Sequence, residues 1–261
     1  MKLITHGCRG SIPISSGKMM KYGGNTTCFE LVTDEFQIFF DTGSGFQNAI
    51  LNPNKDILVL FSHFHHDHLQ GLAFNKYLLK PETKTFISSA LVNSKELNKI
   101  IRRYFSGVFF PLDLFDNLDN VTFSNFSEAQ RTMKGGLDIE AIKLNHPGGS
   151  YGYSVTTSDK KCVFLCDNEF TTSQADELKN FSKNADIVIW DGMFTEEELK
   201  SKAGWGHSSL EQGVDFFLDI NCGQIIISHH APYRTDADLD LIGNSLPNGI
   251  QLAKDGQVLK L

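Results

Sequence analysis

Apolar residues along this chain come mostly in short unbroken runs bounded by turn residues. The stretches FQIFFDTGSG (36–45), DILVLFSH (56–63), TKTFISS (83–89), GLDIEAIKLNH (136–146), KKCVFLCD (160–167), ADIVIWD (185–191) and GQIIISHH (223–230) read as β-strands. Several are apolar throughout, as expected of strands covered on both faces. Helical patterns lie between them. Thr195 with Glu198, and Ser208 with Glu211, fit the capping box that opens a helix. After Ser208, the residues Leu210, Val214, Phe217 and Leu218 recur at helical spacing and are expected to face the core. A further helix is expected after Asp67, with Leu69, Leu72 and Ala73 on one face. Strands and helices therefore alternate, the pattern of an α/β fold. Six apolar stretches end in a polar residue: Asp41, His63, His146, Asp167, Asp191 and His229. Polar side chains gathered at one rim of a sheet scaffold are the usual setting of an active site.

Composition narrows this picture. The chain has 261 residues, 41% of them hydrophobic, enough for a sizeable core. No linker-like stretch divides it, so one domain over 1–261 is expected, with a helical and aromatic insertion around 90–120. The net charge of −7 argues against broad attraction to a polyphosphate backbone. No export signal and no membrane-length apolar window is seen, and the five scattered cysteines suggest free thiols. A cytoplasmic protein with no membrane partner is the expectation; a homodimer is left open.

The densest chemical signal is SHFHHDHLQG (62–71), which holds four of the nine histidines. His63 and His65 flank one residue just after a strand; Asp67 and His68 are adjacent at a helix start. Imidazole and carboxylate suit zinc, manganese or iron. Such a group can serve one metal, or two metals about 3.5–4 Å apart. His146, Asp167 and His229, each at a strand end, are candidates to complete the set. Asp41 either holds a ligand histidine or caps its turn.

H-x-H-x-D-H followed by a distant His, then Asp, then His resembles the signature of the metallo-β-lactamase superfamily. The resemblance spans nearly the whole chain and implies an α/β four-layer αββα sandwich. It also implies two divalent metal ions, zinc first, with manganese or iron(II) as alternatives. One would be held by His63, His65 and His146, the other by Asp67, His68 and His229, with Asp167 bridging. His230 competes with His229 for the last place; His229 is preferred because it directly follows the apolar strand. His66 is the motif's spacer and is expected to face away, and His6 is expected at a strand end or surface. Cys166, next to Asp167, is expected in the core because neighbouring strand side chains point to opposite faces.

The segment IWDGMFTEEELKSKAGWGHSSLEQ (189–212) resembles the branch holding RNase Z, the phosphonate-pathway cyclic phosphodiesterase and predicted cyclic-nucleotide phosphodiesterases. CRGSIP (8–13), YGGNTTC (22–28) and HPGGSYGY (146–153) resemble the last group. In that branch a carboxylate and a downstream histidine form a proton-donating pair; Asp191 and His207 occupy those positions. The resemblance implies hydrolysis of a small phosphodiester, with a cyclic nucleotide foremost, by a metal-bridging hydroxide that Asp67 orients. An RNase Z-like endoribonuclease acting on RNA is the first alternative. A glyoxalase II-like thioester or lactone hydrolase is the second, and a non-enzymatic metal-binding protein the third. Region 74–135 is expected to be an insertion. Its Arg102, Arg103 and Tyr104, beside Phe105, Phe109 and Phe110, form either a substrate lid or an amphipathic helix with core aromatics. Arg9 and Asn25 are candidate phosphate or ribose contacts.

Overall fold

The computed structural model describes residues 1–133 and 136–261. Its strands are β1 (Lys2–Gly7), β2 (Cys28–Val32), β3 (Phe36–Phe40), β4 (Asp56–Phe61), β5 (Thr85–Ser89), β6 (Val121–Phe123) and β7 (Asp138–Leu144). They continue as β8 (Ser150–Thr156), β9 (Lys161–Leu165), β10 (Ile187–Asp191), β11 (Gln224–Ser228), β12 (Ile250–Leu252) and β13 (Val258–Lys260). The helices are α1 (His66–Leu69), α2 (Ser94–Tyr104), α3 (Phe126–Thr132), α4 (Ala175–Ser182), α5 (Glu196–Leu199), α6 (Leu210–Asp219) and α7 (Asp236–Ser245).

The strands form two sheets, ordered β13-β1-β2-β3-β4-β5-β6 and β12-β11-β10-β9-β8-β7. Each sheet is part antiparallel and part parallel: β3 to β6 run parallel in one, β9 to β12 in the other. The apolar runs explain the layering. Alternate residues of β3 and β4 (Ile38, Phe40, Leu58, Leu60) pack against Phe164, Ile187, Ile189 and Ile226 of the second sheet. The other face of the first sheet (Phe39, Val59, Phe61, Ile87) covers itself with Leu97 and Ile101 of α2. The far face of the second sheet (Val163, Val188, Trp190, Ile227) packs on Leu178, Phe216 and Leu239 of α4, α6 and α7. Helix, sheet, sheet, helix is the resulting order, the αββα sandwich. No helix among the described residues is long and apolar enough to cross a membrane.

Three local expectations are corrected. The capping box of α6 is Ser209 with Gln212, one residue later than Ser208 with Glu211. Ser208 is otherwise engaged: its Oγ donates to the Asn168 carbonyl at 2.5 Å and accepts from the Phe170 N–H at 3.1 Å. The buried face of α6 shifts with it, so Gly213 and Phe216 point inward and Leu218 is exposed. The helix after Asp67 is a single turn. Leu69, Leu72 and Ala73 are buried as expected, but the latter two sit on a separate 3₁₀ turn, Leu72–Phe74. Region 74–135 is not simply an insertion, because β5 and β6 within it extend the first sheet; its last residues, 134–135, lie outside those described.

Candidate metal centre

The parallel strands of both sheets deliver their carboxyl ends to one rim, where ligands bind in open α/β sheets. Three residues leave their strands in the left-handed backbone region: Asp41, Asp167 and His229, with φ of 59°, 59° and 58°. Such conformations cost about 1–3 kcal/mol each in non-glycine residues and cluster at functional sites. Here each turn swings a polar side chain from the strand end into the rim.

His63, His65 and His146 bring ring nitrogens together, while Asp67, His68 and His229, and likewise His63, His68 and Asp167, bring ring nitrogens to a carboxylate oxygen; within each trio the candidate atoms lie within 4.8 Å of one another. His65 Nδ1 and His146 Nε2 are 3.0 Å apart. Asp167 Oδ1 lies 3.2 Å from His68 Nε2 and 3.3 Å from His229 Nδ1. All seven candidates therefore converge. His230 turns the other way: its Nε2 donates to the Ala253 carbonyl at 2.9 Å inside the core.

The outward ring atoms are tied down. His68 donates from Nδ1 to Asp41 Oδ2 at 2.8 Å. His63 Nδ1 lies 2.9 Å from Ser62 Oγ, which donates to the same Asp41 oxygen at 2.7 Å. His146 donates from Nδ1 to the Gly206 carbonyl at 2.8 Å, and His229 Nδ1 pairs with Thr27 Oγ1 at 3.0 Å. The tautomers of His63, His68 and His146 follow from these partners, while the Thr27 hydroxyl can donate to or accept from His229. Asp41 thus holds a cluster histidine, the first of its two sequence readings. A bond on one ring nitrogen leaves the other for a metal, the arrangement that orients metal-ligating histidines.

Within the cluster, buried His63 Nε2, His68 Nε2 and Asp167 Oδ1 have no hydrogen-bond partner among the described residues; the 3.2 Å His68–Asp167 approach lacks hydrogen-bonding geometry. Leaving a buried polar group unsatisfied costs about 1–3 kcal/mol. Three such atoms aimed at one point, with an imidazole and carboxylate donor set, fit divalent metal. Two groups are already in the ligating state, whereas at His68 burial is outweighed by the carboxylates of Asp167, Asp67 and Asp41, which push it well up, so there a metal would displace a proton. Burial opposes charge on Asp167, but His229 and His68 outweigh it and hold the carboxyl well below its usual range. Burial and the neighbouring His68 push His63 well down, leaving its ring neutral as a ligand must be.

Beside the cluster, His207 donates from Nδ1 to Asp191 Oδ2 at 2.8 Å. Burial disfavours the imidazolium, yet the Asp191 charge and hydrogen bond outweigh it and push His207 up to about 9. The His207 ring lies 4.9 Å from that of His229 and 5.2 Å from that of His146, centroid to centroid.

Other candidates are placed elsewhere. Arg9 is fully buried and donates to the carbonyls of Gly23, Ala231 and Arg234, so it is a structural tie and not a substrate contact. Asn25 is likewise held, by Asp255 at 3.0 Å. His6 lies within β1, bonded to Glu30. Cys166 is in the inter-sheet core. His66 faces away from the cluster and meets the Tyr104 hydroxyl. Arg102 pairs with Asp116, whereas Arg103, Tyr104, Phe109, Phe110 and the largely buried Phe105 line a cavity of about 890 Å³ that His66 and Leu69 also border. The segment thus divides between core packing and cavity wall. Sequence reasoning missed Thr27, Ser62 and the Ser11 N–H, which donates to Asp67 Oδ2 at 2.7 Å. Ser62 adjoins His63 in the motif and could have been suspected, whereas only the fold brings Thr27 and Ser11 there.

Residues 37–230 match the family model described as "Beta-lactamase superfamily domain". Ribonuclease Z of Bacillus subtilis (strain 168) is 24% identical over 249 residues, covering 77% of this chain and 80% of that protein. Ribonuclease Z of Prochlorococcus marinus (strain NATL1A) is 24% identical over 281 residues, with 83% and 86% covered. In three dimensions the chain resembles the metallo-β-lactamase fold protein YhfI from Bacillus subtilis (TM-score 0.72, 20% identity, 99% and 98% covered). It also resembles the short form of human tRNase Z (TM-score 0.67, 17% identity, 100% and 99% covered). A diphosphatase of the PhnP family scores 0.68 at 16% identity, with 100% and 97% covered.

Proposed function

The chain belongs to the β-lactamase superfamily, and from that premise we propose that it is a metal-dependent phosphodiesterase of small diesters, cyclic nucleotides foremost. The observation that carries this reading is the hydrogen bond between Asp191 and His207 beside the histidine–aspartate cluster. Breaking a phosphodiester expels an alkoxide, which needs a proton. His207, raised to about 9, is an imidazolium at neutral pH and carries that proton on Nε2 while Nδ1 is engaged by Asp191.

His63, His65 and His146 would hold one divalent metal, Asp67, His68 and His229 a second, with Asp167 shared between them. Bound there, the metals would neutralise charge on the phosphoryl group and make water nucleophilic near neutral pH. The remaining work falls to side chains. Asp67, fixed through Oδ2 by the Ser11 N–H, orients the attacking water. Asp41 and Thr27 keep His68 and His229 from rotating. His207 protonates the departing oxygen.

A second reading, an endoribonuclease, is favoured by the relatives named Ribonuclease Z. The net charge of −7 weighs against it as the leading one. Zinc- and manganese-loaded protein assayed on cyclic nucleotides, bis(p-nitrophenyl) phosphate, precursor tRNA and S-lactoylglutathione separates the readings, with Asp67→Asn as control. Cleavage of precursor tRNA alone supports the endoribonuclease, and turnover of the thioester alone overturns both.

A further inference from the structure

Glu169 lies two residues beyond Asp167 and belongs neither to the ligand cluster nor to the Asp191–His207 pair. Its carboxylate is nevertheless fully used. Both oxygens accept from the Gly204 N–H at 2.9 Å, and Oε2 also accepts from the Gly206 N–H at 2.9 Å. Hydrogen bonds to an ionised acceptor are roughly twice as strong as neutral ones. The glycines they hold are conformationally loose residues, with φ of 83° and 84°.

Two chemically important side chains hang on this loop. The Gly206 carbonyl accepts from His146 Nδ1, and a Cβ at Gly206 would overlap the His146 ring. The next residue is His207. Glu169 also reaches the His146 loop through its own backbone, donating its N–H to the Asn145 carbonyl at 2.7 Å. One residue therefore ties together the backbones beside both histidines. Between the two glycines, Trp205 is 56% exposed, while Gly206, His207 and Ser208 are buried. The loop is thus held by its backbone and not by burying its largest side chain.

We infer that Glu169 is a positioning residue, a clamp on the Gly204–His207 loop that sets His207 for proton donation and fixes the His146 ring. This rests on the reading of His207 as the proton donor. Without the carboxylate the loop retains its glycine freedom, and His207 samples positions from which it cannot reach the leaving oxygen. Misplacement of a reacting group by about 1 Å costs on the order of 100-fold in rate.

The test uses zinc-loaded Glu169→Ala and Glu169→Gln with a 3′,5′-cyclic nucleotide, whose leaving group is an alkoxide that needs the proton. Glu169→Ala should lose about 10- to 100-fold in kcat with KM changed less than about threefold. Glu169→Gln keeps one acceptor oxygen and should fall between Ala and wild type. Acrylamide quenching gives a readout independent of turnover. Trp190, the other of the two tryptophans, is 1% exposed, so extra quenching reports Trp205. Quenching should rise in Glu169→Ala while the melting temperature stays near wild type, because Glu169 is only partly buried and its carboxylate bonds to loop backbone. A Glu169→Ala protein as active as wild type overturns the clamp, as does lost activity with Trp205 quenching unchanged. If Glu169→Ala fails to fold, Glu169→Gln carries the same readouts. A wild type inert to every phosphodiester removes the functional reading alone; the quenching result then decides the clamp.

Discussion

Asp41 Oδ2 accepts from His68 Nδ1 at 2.8 Å, with both side chains fully buried, and accepts again from Ser62 Oγ, which in turn meets His63. One carboxylate at the end of β3 therefore orients His63, just past the adjacent parallel strand β4, and His68 of α1. Removing its charge should loosen both. Asp41→Asn tolerates the left-handed backbone but offers a weaker acceptor, and should lower zinc affinity about 10- to 100-fold, the usual effect of losing such a partner. Competition titration against a chromophoric chelator measures it; wild-type affinity in the variant would show that Asp41 only closes its turn.

The Asp191–His207 pair makes a kinetic prediction. His207→Ala should cut phosphodiester turnover about 100- to 10,000-fold, the range for a general acid, with metal content unchanged by elemental analysis. Full turnover in this variant removes the proton-donor role.

The same pair sets the pH profile. His207 acts in its protonated form, which the Asp191 charge and hydrogen bond favour, so kcat should hold at lower pH and fall as pH rises through the His207 pKa. Asp191→Asn removes the charge that raises the value, so the alkaline limb should move to lower pH. An unmoved limb would assign it to another group.

The adjacent histidines should separate cleanly. If the proposed pair of metals binds, His229→Ala should lose about one metal equivalent, whereas His230, turned into the core against Ala253, should leave the metal count unchanged when replaced. Loss of metal in His230→Ala with retention in His229→Ala would reverse the assignment.

His230 should instead contribute to acid sensitivity. Burial is the main cause that depresses it to about 3, and nearby Arg9 adds to that against the bond to Ala253. Below an unfolded-state value of about 6.5 the unfolded chain binds a proton that the folded chain refuses. The stabilisation is therefore complete above about pH 6.5 and is lost as pH falls towards 3. Between pH 6.5 and 5 the loss should be about 2 kcal/mol. Urea unfolding at several pH values measures it, and His230→Gln should flatten the slope; an unchanged slope would place the acid sensitivity elsewhere.

Much of this architecture is legible in the chain because parallel strands buried on both faces must be apolar throughout. The runs over β3, β4, β9, β10 and β11 announce themselves for that reason, and each stops where a polar residue enters the rim. β8 (SYGYSVT) carries no such signal although most of it is buried, because Ser, Gly and Tyr fill its positions, and β12 and β13 are too short to show a period. Residue chemistry and spacing were enough to nominate seven donors, because few structural roles call for His or Asp at the end of an apolar strand. They did not determine what holds those donors. Whether Asp41 orients a histidine, whether Arg9 is a contact or a buried tie, and that Glu169 reaches the loop before His207 all depend on segments far apart in sequence. Hydrogen bonds act over about 3 Å of space and leave no trace in sequence separation, so only the folded chain decides them.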